Sequence, residues 1–346
     1  MYLENPEESG PNMGRNRNSI LLRAILAAAA LIILLVGGYI VGRRLETSGH
    51  PEERSVMTEG FGQYEEWIVD GRTYYKRTGI TNLLIIGVDR DTTQELGSYR
   101  NGGQADFLLL LSIDHQNNEI RQLQIDRDTI AEVPVLSIFG RPSGSKRMQI
   151  CLSHAYGADQ EACGANTVEA VEKYLTKVDV DFFLALDYSA IDVLNDLLGG
   201  VTVTLSEDFS HLDPEMKQGT TLTLHGHQAE LFVRSRMSVG DGTNASRQMR
   251  QRMWMNGAMD LLKQKLKSDA SFGDRVLDAL GDGLITDAAR GRILNEMNRA
   301  WQYTVRQVED IPGVHTKGDD GFVEYHTEPE DVVNWVLDAF YRPAEQ

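Results

Sequence analysis

The chain breaks into apolar runs separated by charged punctuation, and the first run differs from the rest. Ala24 to Val41 (AILAAAALIILLVGGYIV) contains no charged residue. At 1.5 Å of rise per residue it spans roughly 27 Å as a helix, about the hydrocarbon thickness of a bilayer. A cleaved signal peptide would show a shorter apolar core and then a small-x-small site, whereas here Arg43 and Arg44 follow directly. The pattern predicts a transmembrane helix over 24–41 preceded by a short tail over 1–23. Residues 42–80 are polar, with Pro51, several glycines and many charges, and predict a juxtamembrane linker. A folded domain is expected over 81–346.

Within that domain the first apolar runs have strand length. Asn82 to Val88 (NLLIIGV), Phe107 to Ile113 (FLLLLSI) and Glu119 to Ile125 (EIRQLQI) predict three strands, the second and third joined as a hairpin by the polar turn Asp114 to Asn118. Asn166-Thr167 predicts the cap of a helix with Val168, Val171 and Leu175 on one face. Tyr188 to Leu198 predicts another, stopped by Gly199-Gly200. A strand over Val201 to Leu205, a helix from Ser246 to about Leu266, and a final strand (Phe322 to His326) and helix (Pro329 to Phe340) complete an α/β pattern.

Composition narrows the partners. A chain that is 41% hydrophobic and 25% charged is globular rather than disordered. Its formal net charge of -17 excludes nucleic acid, because binding a polyanion needs a basic face that releases counterions. Any anion must therefore meet a local cluster of arginines. Cys151 and Cys163 lack the CxxC or histidine spacing of a zinc site. In an extracytoplasmic domain they are expected to form a disulfide closing a short loop, and otherwise to be two buried thiols. Arg15, Arg17 and Arg23 precede the apolar run while Arg43, Arg44 and Arg54 follow it, so the charge bias does not set the orientation.

If the first three strands run up, down and up, their charged ends meet at one edge. There stand Asp89-Arg90-Asp91, Asp106 and Asp126-Arg127-Asp128. Carboxylates gathered in this way call for a cation, and hard oxygen donors select Mg²⁺ or Mn²⁺; equally, Asp is a common turn and cap residue. A second constellation is Arg234-Ser235-Arg236, followed by Asn244 to Arg252. In an extended segment Arg234 and Arg236 share a side, and on a helix Arg247 and Gln251 share a face. Guanidinium forks suit phosphate oxygens, with a solvated basic face as the plainer alternative. The chain has no GxSxG elbow, Walker loop, HExxH or strand-to-helix glycine fingerprint. His154, His211, His225 and His227 have no metal-ligand spacing.

Seven motifs, in order, resemble the LytR-CpsA-Psr family of bacterial cell-wall glycopolymer ligases. They are NLLIIGVD ending at Asp89, ADFLLLLSID with Asp106, IDRDT with Arg127, SHAYG from Ser153 to Gly157, DLLGGVTV from Asp196 to Val203, FVRSRM with Arg234 and Arg236, and NASRQMRQ with Arg247 and Gln251. The resemblance implies an α-β-α layered domain with a mixed central sheet, held outside the cell membrane by a single-pass helix whose N-terminus is cytoplasmic. It implies that Asp89 and Asp106 bind Mg²⁺ (or Mn²⁺), and that Arg127, Arg234, Arg236, Arg247 and Gln251 contact a pyrophosphate. Asp89, Asp106 and Arg127 would be the catalytic set, with Asp89 or its metal partner helping to activate the acceptor hydroxyl.

The implied donor is a polyprenyl-pyrophosphate-linked glycan, teichoic-acid-like or capsular, whose membrane-lipid tail occupies an apolar cavity; the implied acceptor is peptidoglycan. A pyrophosphatase using water at the same site, and a non-catalytic lipid-binding regulator, are the alternatives. Four positions depart from the family pattern. Gln104 stands for an arginine, Asp126 for a proline, Gln149 for a lysine that Lys146 or Arg147 replaces, and Asn244 for an aspartate that can still cap the helix.

Overall fold

The computed structural model describes residues 65–89, 102–137, 139–236, 238–269, 271–319 and 321–344. The run 24–41 and the tail before it lie outside the described residues, as do Arg90 and Asp91. No helix among the described residues is long and apolar enough to cross a membrane.

The fold begins earlier than the expected boundary at 81. Strands β1 (Glu66–Val69) and β2 (Arg72–Lys76) form an antiparallel hairpin inside the stretch expected to be linker. Then come β3 (Ile80–Asp89), β4 (Gln104–Asp114) and β5 (Glu119–Ile125), antiparallel in succession as the hydrophobic runs predict. An antiparallel ribbon of β6 (Ile130–Leu136) and β7 (Pro142–Gln149) leads to helix α1 (Gln160–Leu175). Strand β8 (Phe182–Asp187) runs into α2 (Ser189–Leu198), and the short pair β9 (Thr202–Thr204) and β10 (Thr221–Thr223) into α3 (Gln228–Arg234) and the long α4 (Asn244–Ser268). After α5 (Phe272–Leu280) and α6 (Arg290–Ala300), β11 (Thr304–Glu309) joins the main sheet. The ribbon β12 (Gly313–Lys317) and β13 (Val323–Thr327), helix α7 (Pro329–Phe340) and β14 (Tyr341–Pro343) finish the chain, β14 pairing back onto β2.

The central sheet has the order β11-β5-β4-β3-β8, with β8 parallel to β3 and β11 parallel to β5. It is mixed, and it is covered on both faces. Successive strand residues point to opposite faces. Thus Leu83, Ile85, Leu109 and Leu111 pack with α2, α4, α5 and α6 through Leu194, Leu262, Val276 and Ile293. Leu84, Ile86, Leu108 and Leu110 pack with α1 and α7 through Val171, Leu175, Val336 and Phe340. Burial on both faces is why β3 and β4 read as unbroken apolar runs rather than alternating ones. At about 1.5–3 kcal/mol for each fully buried large aliphatic side chain, this α-β-α sandwich is the main store of stability.

Helix termini account for the local corrections. Helix α1 starts before Asn166-Thr167, because the Asp159 side chain accepts from Ala162 N at 2.8 Å and caps it. Inside the helix, Asn166 Nδ2 instead donates to Ser153 O at 2.7 Å. Helix α2 ends where expected, with Gly199 at φ 97°, a left-handed conformation suited to glycine. Helix α4 is capped by Thr243, whose side chain accepts from Ser246 N, so Asn244 is its first residue rather than its cap. Arg234 ends helix α3, so Arg234 and Arg236 do not share one extended strand.

Candidate functional site

The antiparallel pairing of β3 with β4 sets Asp89 opposite Gln104. Asp106 lies two residues on. The register slips after Gly87, a β-bulge of the kind that re-aims a strand end. Helix α4 brings Arg247 to Asp106 from across the fold: Arg247 Nη1 donates to Asp106 Oδ2 at 2.9 Å and Nη2 to Asn244 Oδ1 at 2.8 Å. The turn after β5 brings Arg127, whose Nη1 donates to the other Asp106 oxygen. Arg127 Nη2 donates to Gln104 Oε1 at 2.5 Å and to Cys151 Sγ at 3.3 Å. Asp106 is 7% exposed and Arg247 4%, so one buried carboxylate is shared between two guanidiniums.

Burial opposes the charge on Arg127, but the neighbouring Cys151 sulfur, Asp106 and Asp128 more than reverse that effect and hold its pKa above the ordinary value. It is a permanent cation. Cys151 and Cys163 are both buried thiols, and the expected disulfide between them is not formed. The Cys151 thiol is turned to Arg127, while Cys163 packs closely against Gly102 and Gly157. Burial pushes the Cys151 thiol up to about 12, which leaves it an unreactive neutral group.

A second pair stands beside the first. Arg234 Nη2 donates to Asp89 Oδ1 at 2.9 Å and Nη1 to Glu230 Oε1 at 2.8 Å. Arg234 also covers the Tyr188 ring, 5.6 Å from its centroid. Burial raises the Tyr188 pKa, and Asp106, Arg247, Asp89 and Arg127 all bear on its hydroxyl, which puts Tyr188 between the two ion-paired groups. Arg236 is held by its own loop, Nε donating to Gly242 O at 3.2 Å. The two departures at 126 and 244 meet: Asn244 Nδ2 donates to both Asp126 oxygens at 3.1 Å.

Below the arginines an apolar cavity lies between the sheet and helices α2, α3 and α4. Its walls are Phe107, Leu186, Ile191, Val233, Trp254 and Met255, and its interior volume is about 70 Å³. Asp187, Tyr188 and Gln251 bring polar groups to its lining. Gln251 is buried, with Oε1 accepting from Gln124 Nε2 at 3.4 Å and Nε2 lacking a hydrogen-bond partner among the described residues. One helical turn back is Arg247, so the polar end of the cavity adjoins the guanidiniums. Such a combination accommodates an apolar tail with an anionic head.

Of the seven charged or amide site residues expected from the sequence, Asp106, Arg127 and Arg247 form one unit and Asp89 with Arg234 another, Gln251 lines the adjoining cavity, and Arg236, bonded to its own loop, bears on Asp128. Sequence reasoning missed Tyr188, which looks like an ordinary helix-start residue. Its only signal is its place directly after the apolar run that becomes β8. The cavity walls were missed too, since they come from five separate elements.

Comparison with known proteins identifies relatives of the chain. The LytR_cpsA_psr family model matches residues 50–331. The chain is 28% identical over 250 residues to the polyisoprenyl-teichoic acid--peptidoglycan teichoic acid transferase TagU of Bacillus cereus (strain AH820), covering 71% of this chain and 73% of that one. Among solved structures it is similar to B. subtilis TagU, with a TM-score of 0.53 at 22% identity over 78% of this chain and 100% of that one. It is also similar to TagT bound to LI-WTA, with a TM-score of 0.57 at 18% identity over 76% and 90%. At such identities the solved structures speak for the shared mixed α/β fold.

Proposed function

The chain belongs to the LytR-CpsA-Psr family, and on that premise we propose that it is a phosphotransferase that attaches a polyprenyl-pyrophosphate-linked anionic glycopolymer to peptidoglycan. The observation that carries this reading is the junction of an apolar cavity with buried, ion-paired arginines. A wall polymer, teichoic-acid-like or capsular, is the cargo, and the polyprenyl chain is the part the cavity takes. The apolar run 24–41 would hold the domain at the membrane, with its N-terminus cytoplasmic and the domain outside beside the wall.

In the proposed reaction a sugar hydroxyl of peptidoglycan attacks the glycan-linked phosphorus. A new O–P bond forms, the P–O bond to the second phosphate breaks, and polyprenyl phosphate leaves. Such a reaction needs positioning and charge neutralisation more than covalent chemistry. Arg127 and Arg247 exchange part of their bonding to Asp106 for phosphate oxygens, and Arg234 and Arg236 meet the glycan-side phosphate. Gln251, with its free Nε2, donates where the head group enters the cavity. The Asp89 side chain is the more exposed, 44% against 4% for the side chain of Asp106, and takes the acceptor proton. Asp89 and Asp106 offer hard oxygen donors at one end of the sheet that would hold Mg²⁺ or Mn²⁺, and the cation would neutralise pyrophosphate charge.

The test is to incubate the detergent-solubilised chain with a lipid-linked glycan, peptidoglycan oligomers and Mg²⁺, and to read the products by mass spectrometry. Glycan phosphate joined to peptidoglycan is the expected outcome. Free glycan phosphate as the sole product identifies a pyrophosphatase, and no turnover with lipid still bound identifies a lipid-binding regulator.

A further inference from the structure

The turn after β5 carries Asp126, Arg127 and Asp128 in succession, and the transfer reaction uses only the middle residue. Asp126 is 8% exposed. Its Oδ1 accepts from the Asp128 backbone N–H at 2.8 Å, its Oδ2 accepts from Gln248 Nε2 at 3.0 Å, and Asn244 bonds both oxygens. His315, on strand β12, places Nε2 3.1 Å from Asp126 Oδ2. Asp128 is 3% exposed; its Oδ1 stands 3.4 Å from Arg127 Nε, and its Oδ2 has no hydrogen-bond partner among the described residues. One ligand atom from each of Asp126, Asp128 and His315 lies within 4.8 Å of the other two.

Next to these groups is a polar cavity lined in part by Asp126, Thr129, Gln248, His315 and Tyr325. Thr129 is 1% exposed, and its Oγ1 likewise has no hydrogen-bond partner among the described residues. Buried polar atoms are nearly always satisfied, and an orphan in a native fold calls for an explanation such as a bound ion or water. Two orphaned oxygens beside an imidazole and an anchored carboxylate point to a ligand.

We propose that Asp126, Asp128 and His315 form a zinc site adjoining the Asp89 and Asp106 edge, with Asp128 standing between His315 and Arg127. An imidazole nitrogen with two carboxylate oxygens is a borderline donor set that suits Zn²⁺, whereas Mg²⁺ and Ca²⁺ take oxygen donors. Ligand atoms each about 2.0–2.2 Å from one tetrahedral Zn²⁺ lie roughly 3.4 Å from one another. The spacing here closes on that arrangement by side-chain rotation, chiefly of His315, whose side chain is 40% exposed. Three protein ligands leave a fourth position for water. Bound zinc ties the β12–β13 ribbon to the turn that carries Arg127, adding to the bond from Tyr325 N to Asp128 O at 2.8 Å. Asp192, His227 and Glu230 also lie within ligand distance of one another. There Asp192 accepts from Glu230 N and Glu230 pairs with Arg234, none of the three has an orphaned buried atom, and the His227 side chain is 64% exposed. It serves as the control.

Isothermal titration of the chelator-stripped, detergent-solubilised chain with ZnCl₂, in excess Mg²⁺ to occupy any oxygen-only site, tests the proposal without any need for transfer activity. One saturable site per chain and a raised melting temperature are expected. His315→Asn should weaken zinc binding by more than about tenfold, since even outer-shell changes cost about 10–100-fold; His227→Asn should leave it unchanged. Equal affinity in His315→Asn, loss in His227→Asn instead, or no saturable binding by the unaltered chain would overturn the assignment. Should His315→Asn misfold, Co²⁺ substituted into the unaltered chain decides: an intense four-coordinate visible spectrum supports the site, and a weak six-coordinate one rejects it.

Discussion

Replacing Asp106 with alanine tests the electrostatic core of the site directly. Asp106 is the shared counter-ion of Arg127 and Arg247, whose side chains are 14% and 5% exposed. Its removal leaves buried Arg247 without a carboxylate and Arg127 with Asp128 alone. Deleting one partner of a buried pair typically costs about 3–5 kcal/mol, because the remaining charge is left desolvated and unpaired. A domain stabilised by about 5–15 kcal/mol survives that loss, but melts lower. At about 2–4 °C per kcal/mol for a chain of this class, the drop is about 6–20 °C. Removing one stranded cation as well should recover part of it, so Asp106→Ala with Arg247→Met should melt above Asp106→Ala alone, with a coupling of about 0.5–3 kcal/mol. Thermal unfolding followed by circular dichroism, in chelator, measures both. Melting of Asp106→Ala within about 2 °C of the parent, or a double variant no better than the single one, would refute the shared-counter-ion arrangement.

The other predictions concern chemistry, cavity and pH. Arg127→Ala should reduce transfer by about 10³-fold or more, as loss of a transition-state arginine does, while keeping the far-ultraviolet spectrum; full activity would remove Arg127 from the mechanism. Ile191→Trp should fill the apolar cavity, so that polyprenyl lipid no longer copurifies with the chain by mass spectrometry; an undiminished lipid yield would exclude the cavity as its site. Burial raises the Asp192 carboxyl from 3.8 to about 6, so the folded chain holds a proton that the unfolded chain has released. Stability should therefore fall as pH rises between these values, by at most about 2 kcal/mol once solvent screening is allowed for. Urea unfolding of Asp192→Asn should show a flatter pH dependence than the parent, and an identical slope would place the titration elsewhere.

What could be read from the sequence follows from burial. Strands β3 and β4 are legible because both faces are covered, which leaves unbroken apolar runs. Strands β1 and β2 are not, since EWIV and RTYYK are half-exposed in a charged context and their sheet is completed by β14 at the other end of the chain. Helix α3, QAELFVR, is too short to display a helical period, so Arg234 read as extended. The start of α1 was obscured because the small residues Cys163 and Gly164, rather than large apolar ones, occupy its first buried positions. The site residues were legible as charges in a family order, but their partners were not. Only the folded chain reveals that the residues replacing the usual proline and aspartate, Asp126 and Asn244, are bonded to each other.

Pairing also bears on the metal proposed for the reaction. Each ion-paired arginine at the edge already has a carboxylate: Arg127 and Arg247 have Asp106, Arg127 also has Asp128 nearby, and Arg234 has both Asp89 and Glu230. The site is therefore close to balanced, within a chain whose net charge is -17. These pairs hold the guanidiniums in place before a ligand arrives, which lowers the ordering cost of binding. A pyrophosphate that takes over the arginine donors displaces the carboxylates, and Asp106, buried as it is, cannot be left as a bare anion. A divalent cation held by Asp89 and Asp106 would compensate the displaced carboxylates and the phosphate oxygens together. The acids at the edge would then serve two successive partners, the arginines before the ligand binds and a cation afterwards.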